Sequence, residues 1–157
     1  MRVANSRAFE ISESSGISPD ARMPALALAG DDNDPAPPLT WWRTRIPGEF
    51  RKRDSAIVRW ALMGTRISGE PHWPDVVTGE VPAAIKVAVD RLKKRKIDHV
   101  EIDLALSAML AFAIDGDVTS GILISSALRR RSKIDPRCRL LSDLWLIADF
   151  RSPGSMP

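Results

Sequence analysis

The amino-acid sequence predicts an all-α protein: a single compact bundle of about five helices around a central αα-hairpin at about 99–131, behind a disordered N-terminal tail. Three observations carry that expectation. Leu104 to Ile114 is apolar except for Ser107, which is the composition of a buried helix. Asp115-Gly116-Asp117 breaks the run, and a second apolar block from Ile122 to Leu128 ends in Arg129-Arg130-Arg131-Ser132-Lys133. The rest of the chain shows helical spacing or turn composition, with no confident strand.

Residues 1–39 hold three basic side chains (Arg2, Arg7, Arg22) against six acidic ones (Glu10, Glu13, Asp20, Asp31, Asp32, Asp34). They are rich in Ser, Asp, Ala and Pro and show no sustained period. Such a segment buries too little apolar surface to offset its ordering entropy, so a mobile acidic tail with a Pro-rich linker is expected. Pro35 and Pro38 form a P-x-x-P pattern that reads as a stiff spacer. Met23–Gly30 has a faint likeness to a signal-peptide core, but the acidic residues upstream contradict a basic leader.

Residues 40–150 are expected to form the helical domain. Trp41 and Trp42 follow the linker. Two adjacent indoles cannot both point inward on a regular element, so one is expected to pack and the other to cap the core or meet a partner. A helix over about 54–63 is indicated by Asp54 as cap, by Ile57, Val58, Ala61 and Leu62 on one face, and by Gly64 as stop. Residues 64–79 read as a loop punctuated by Gly64, Gly69, Pro71, Pro74 and Gly79 and pinned by Trp73.

A helix over 81–94 is opened by Pro82, whose missing N–H has no partner in a first turn anyway. Val81, Ile85, Ala88, Val89 and Leu92 follow its period, leaving Lys86, Asp90, Arg91, Lys93 and Lys94 toward water. The next helix starts near 99 or 103, with Asp98-x-x-Glu101 resembling a capping box, and runs to 114. Gly116 fits a left-handed C-cap and Asp117 an N-cap for a helix over about 118–131. Asp135-Pro136 opens a last helix over about 136–149, with Cys138, Leu141, Leu144, Trp145 and Ala148 inward and Leu140 and Ile147 flanking. Residues 151–157 read as a frayed end.

Most motifs with chemical meaning fall to the architecture around them. Asp115-Gly116-Asp117-Val118-Thr119 fits the D-x-D-x-T of haloacid-dehalogenase-type phosphotransferases, but that chemistry needs a parallel sheet and later Lys and acidic residues. A calcium loop counted from Asp115 would need Gly at its sixth position and Glu at its twelfth, where Ser120 and Ser126 stand. A DNA-reading helix-turn-helix would expose Ile122, Leu123 and Ile124 at ~1.5–3 kcal/mol each, so a buried hairpin is preferred. His72 and His99 cannot make a structural zinc site, and Cys138 falls on an inner stripe where a thiol is inert. No G-x-S-x-G, H-E-x-x-H or Walker A pattern occurs. No catalytic residue, metal site or cofactor is therefore expected, and the chain does not read as an enzyme.

Charge supplies the functional expectation. Beyond the tail, residues 40–157 carry 20 basic and 14 acidic side chains. The clusters are Arg51-Lys52-Arg53, Lys93-Lys94-Arg95-Lys96 and Arg129-Arg130-Arg131 with Lys133, Arg137 and Arg139. Those at helix C-termini gain ~0.3–1 kcal/mol from the helix dipole. Together with Trp41 and Trp42 they form the candidate binding residues, because aromatics and Arg make interface hot spots. The expected function is a non-catalytic binding or regulatory module for an acidic protein partner. Contact with nucleic-acid phosphates without base reading is the alternative, and the acidic tail is expected to compete for the same cations. Charge reversal at Arg129 and Arg130 is the natural test. Periodicity alone leaves open whether the basic ends share a face. A single cysteine and the lack of any ~18-residue apolar stretch point to a cytoplasmic protein outside the membrane. An exposed apolar face on either of the last two helices would mark a homo-oligomer.

Overall fold

Everything is arranged around the helix of Val100–Ile114, here α5, in which eleven of fifteen residues are buried. A helix apolar on all sides needs cover on most of its circumference. The computed structural model, which describes residues 36–150, shows how that cover is built. α1 (Trp41–Thr44), α2 (Lys52–Met63), α4 (Val81–Lys94) and α6 (Val118–Arg131) pack directly on α5. α3 (Trp73–Thr78) packs on α4 and α2, and α7 (Arg137–Phe150) packs on α6. The described residues are all-helical, with these seven α-helices, two short 3-10 turns and no strand.

The five long helices lie close to their expected ranges, and the additions are the two short ones. Four residues (Trp41–Thr44) and six (Trp73–Thr78) are too few to display a helical period. The expected boundary between tail and domain moves. Ala36 and Leu39 already pack on the core. The Trp41 indole donates to Ala36 O (2.9 Å) and the Ser107 hydroxyl to Leu39 O (2.8 Å). The expectations of a mobile tail and a frayed end fall on residues 1–35 and 151–157, which lie outside the described residues.

Capping chemistry sets the central hairpin. Gly116 has φ +101°, a conformation that L side chains rarely adopt. Asp117 then accepts from Ser120 N (2.7 Å), capping α6 as expected. At the start of α5 the expected box does not form: His99 is the cap, its Nδ1 accepting from Glu101 N (3.2 Å), and the Glu101 carboxylate is used elsewhere. Asp54 is the third residue of α2 and accepts from Arg51 N (2.9 Å), so that helix begins two residues earlier than expected.

α6 and α7 meet through small residues. Ser125 donates to Ser142 O and Ser142 donates to Ser125 O, both at 2.9 Å, with the two hydroxyls 3.0 Å apart. Gly121 and Cys138, one turn from these serines on their respective helices, are also buried.

Three expectations about which side chains face water are corrected. Both adjacent indoles are buried: the chain leaves a 3-10 turn just before Trp41, so the geometry of one continuous helix does not apply. Trp42 reaches Asp103 Oδ1 (3.0 Å), which also takes Arg43 Nε (2.9 Å). Arg91 is buried as well, because two carboxylates receive it: Glu70 (3.0 Å) and Glu101 (3.1 Å), the latter also bound by Arg95 (3.0 Å). The inner face of α4 is accordingly Ala84, Val87, Ala88 and Arg91. Finally, Ile122 stands out to solvent while Ile124 is fully covered.

Candidate functional site

The ends of α4 and α6 come together, and arginines from α6 make the joint. α4 and α6 both run antiparallel to α5, so their C-termini share one end of the molecule. A helix C-terminus presents carbonyls with no intrahelical donor and carries about half a negative charge. Arg130 fills that need for α4: one of its guanidinium nitrogens binds Leu92 O and the other Arg95 O (3.3 Å). Arg131 donates to Ile97 O (3.2 Å). These two cations are therefore structural ties as well as charges.

Around that joint the remaining cations divide into two kinds. Arg95 is held by Glu101, and Arg129 lies 3.6 Å from Asp143. Lys93, Lys94, Lys96 and Lys133 are exposed and have no ion pair among the described residues. Asp98 stands exposed on the loop between α4 and α5, and Ile134 stands exposed beside Lys133. The clusters 93–96 and 129–133 thus form one positive face with an apolar side chain at its edge.

Arg51, Lys52 and Arg53 belong to another helix. They sit at the N-terminus of α2, the wrong end for the helix dipole, with Arg53 4.0 Å from Asp54. Phe50 just before them packs its ring near Trp41 and Trp145 (centroids 6.4 and 6.0 Å). Trp41 and Trp42, expected as partner-binding candidates, are core residues. Trp73 is buried too, donating to Thr65 O (2.9 Å). The exposed indole is Trp60, 46% accessible, on α2. Ile134 was missed because a lone isoleucine in a basic turn has no sequence pattern to mark it.

Arg137 hydrogen-bonds the Asp135 carboxylate (3.2 Å), which holds that acid below its usual range and raises the guanidinium. The Cys138 thiol is pushed up, first by burial and then by the Asp135 charge, so it is a poor nucleophile. His72 Nδ1 lies 3.7 Å from Asp75, and His99 is occupied as a helix cap. No group of three or more His, Cys, Asp or Glu side chains able to hold a metal ion gathers among the described residues. A groove of about 540 Å³ opens beside Met63, Ile67, Trp73 and Val77. Two of its polar groups are already engaged, the Trp73 indole by Thr65 and Glu70 by Arg91, and Arg66 in its lining is exposed.

No helix of the described residues is long and apolar enough to cross a membrane. Comparison of the chain with protein-family models, with curated proteins and with solved structures finds no match, so the functional reading rests on its own residues.

Proposed function

We propose that this protein is a non-catalytic helical module that binds an acidic protein segment on the cationic end of α4 and α6. The observation that carries the reading is the division of labour among the cations. Arg130 and Arg131 join the two helix ends, which leaves Lys93, Lys94, Lys96 and Lys133 without internal carboxylates. Such a surface steers an acidic partner and raises its association rate. Exposed Ile134 supplies an apolar contact that bare phosphates would not use.

The test uses a fluorescent acidic peptide with one central leucine, alongside an all-glutamate peptide of equal length. Anisotropy titration is expected to show tighter binding of the first. Lys93→Glu, Lys94→Glu, Lys96→Glu and Lys133→Glu combined should abolish it while leaving the helical circular dichroism intact. Equal affinity of the reversed variant would remove this face. Charge reversal at Arg130, suggested by sequence alone, is the poorer experiment, because it also removes the tie to Leu92 and Arg95.

Nucleic-acid binding remains the second reading, favoured by one observation. The four cations without an ion pair at this end of the molecule are lysines, which meet phosphates as point charges. It requires an affinity for duplex or single-stranded nucleic acid that falls steeply between low and moderate salt. No mobility shift at low salt would end it.

A further inference from the structure

The end of the molecule shared by the C-termini of α4 and α6 carries more than charge. Val100 opens α5 there, and Ile134 follows Lys133; they are 63% and 60% accessible. Beside them Lys93, Lys94, Lys96 and Lys133 are exposed without an ion pair among the described residues. The acids on the same two connecting loops are Asp98 and Asp135, and Asp135 is already held by Arg137. Such a surface suits an extended segment that brings several carboxylates together with an aliphatic side chain.

The chain itself contains a segment of that composition. Leu26-Ala27-Leu28-Ala29-Gly30 leads into Asp31-Asp32-Asn33-Asp34, and no basic residue occurs between Arg22 and Arg43. Its point of attachment is close to the lysines. Leu39 O accepts from Ser107, which is seven positions, or ~10 Å, along α5 from Val100. Asp31 and Leu26 precede Ala36, the first described residue, by five and ten positions, which span up to ~17 and ~34 Å when extended. A domain of this size has a radius of gyration of only ~13 Å. A link this short gives an effective concentration in the millimolar range, so even a weak contact is populated.

We infer that residues 26–34 occupy the lysine end while no partner is bound, and that an acidic partner has to displace them. Asp31, Asp32 and Asp34 meet the lysines, and Leu26 or Leu28 meets Ile134 and Val100. The inference rests on the reading of that end as a site for acidic segments and adds its regulation. The basic cluster at 51–53 is a poorer seat because it has a carboxylate of its own: Asp54 lies 4.0 Å from Arg53 and 3.9 Å from Arg45.

Two measurements on the full chain test this. The first titrates the leucine-containing acidic peptide, by anisotropy, into the wild type and into Asp31→Asn, Asp32→Asn, Asp34→Asn combined. These carboxylates make none of the contacts described above, so helical circular dichroism should be unchanged. The triple variant is expected to bind the peptide roughly tenfold more tightly at low salt, with the difference shrinking as salt rises. Leu26→Ser with Leu28→Ser should also tighten binding, and no gain there overturns the leucine contact. Equal affinity of the wild type and the triple variant overturns the inference and leaves the proposed site standing. Peptide binding by neither chain removes that site, and the inference with it. The second measurement uses a carbodiimide, which joins carboxylates to amines in direct contact. Bonds from Asp31, Asp32 or Asp34 to Lys93, Lys94, Lys96 or Lys133 are expected, and within one chain when isotope-labelled and unlabelled protein are mixed. Bonds to Lys52 or Lys86 alone, bonds only between chains, or no bond overturn the inference.

Discussion

Cys138 shows how position decides chemistry. Its thiol sits at the α6–α7 contact, almost fully covered, with Asp135 near its helix start. Burial and that carboxylate both disfavour the thiolate, so the folded protein holds the proton to higher pH than the unfolded chain does. Between the ordinary thiol value of about 8.5 and the raised folded value, the folded state binds more protons. Stability is therefore complete at neutral pH and declines as pH rises through that window. Denaturant midpoints at neutral and alkaline pH should show this decline, and Cys138→Ala should flatten it. An unchanged slope in the variant would assign the loss to other groups. The inertness of this thiol was legible in the sequence, because Cys138, Leu141 and Trp145 share one helical stripe. The burial of both Trp41 and Trp42 was not. It depends on a 3-10 turn ahead of them and on Asp103, 61 positions downstream in sequence from Trp42, neither of which has a local signal.

Helix boundaries were legible wherever a cap or a proline wrote them. Pro82 opens α4, and Gly116 with Asp117 separates α5 from α6. The small residues Gly121 and Ser125 of α6 likewise permit a close approach, but helical spacing does not say to which neighbour. Ser125 faces α7 rather than α5, paired reciprocally with Ser142. A periodicity states which face is small and leaves the partner helix open. The consequence for α6 and α7 is specific. Ser142→Ala removes a hydroxyl but keeps the spacing, and should cost about 1 kcal/mol. Ser142→Leu forces the helices apart and should cost about 1–3 kcal/mol for overpacking in addition to the lost bond. Urea unfolding of the two variants separates them, and equal costs would show that α6 and α7 accommodate bulk without strain.

For the molecule as a whole, the largest omission in the sequence reading is the ion network of Glu70, Arg91, Glu101 and Arg95. It ties the loop before α3 to α4 and to the first turn of α5, through partners 10 and 21 positions from Arg91. An arginine on a lysine-rich helix looks solvated until the fold brings carboxylates over it. Arg91→Ala leaves Glu70 and Glu101 poorly solvated, with Arg95 alone as counter-charge. Removing one partner of a buried pair typically costs about 3–5 kcal/mol, which is the expected loss of unfolding free energy. Arg91→Met with Glu70→Gln and Glu101→Gln should recover much of it, since no buried charge is then stranded. A single Arg91→Ala cost below about 1 kcal/mol, read by the same titration, would mean that water reaches the network. The meeting of the two basic ends was equally invisible in advance. Arg130 and Leu92 are 38 positions apart, and only the parallel course of α4 and α6 joins them.

The all-round apolar surface of α5 has a consequence during biosynthesis. When Ile114 is made, α1, α2 and α4 already exist to cover part of its girth, but α6 has still to be translated. At ~5–20 residues per second, the seventeen positions from Asp115 to Arg131 take about one to three seconds. For that interval Leu106, Leu110 and their neighbours lack a cover, and a nascent chain stalled there would be prone to aggregation or to capture by a chaperone.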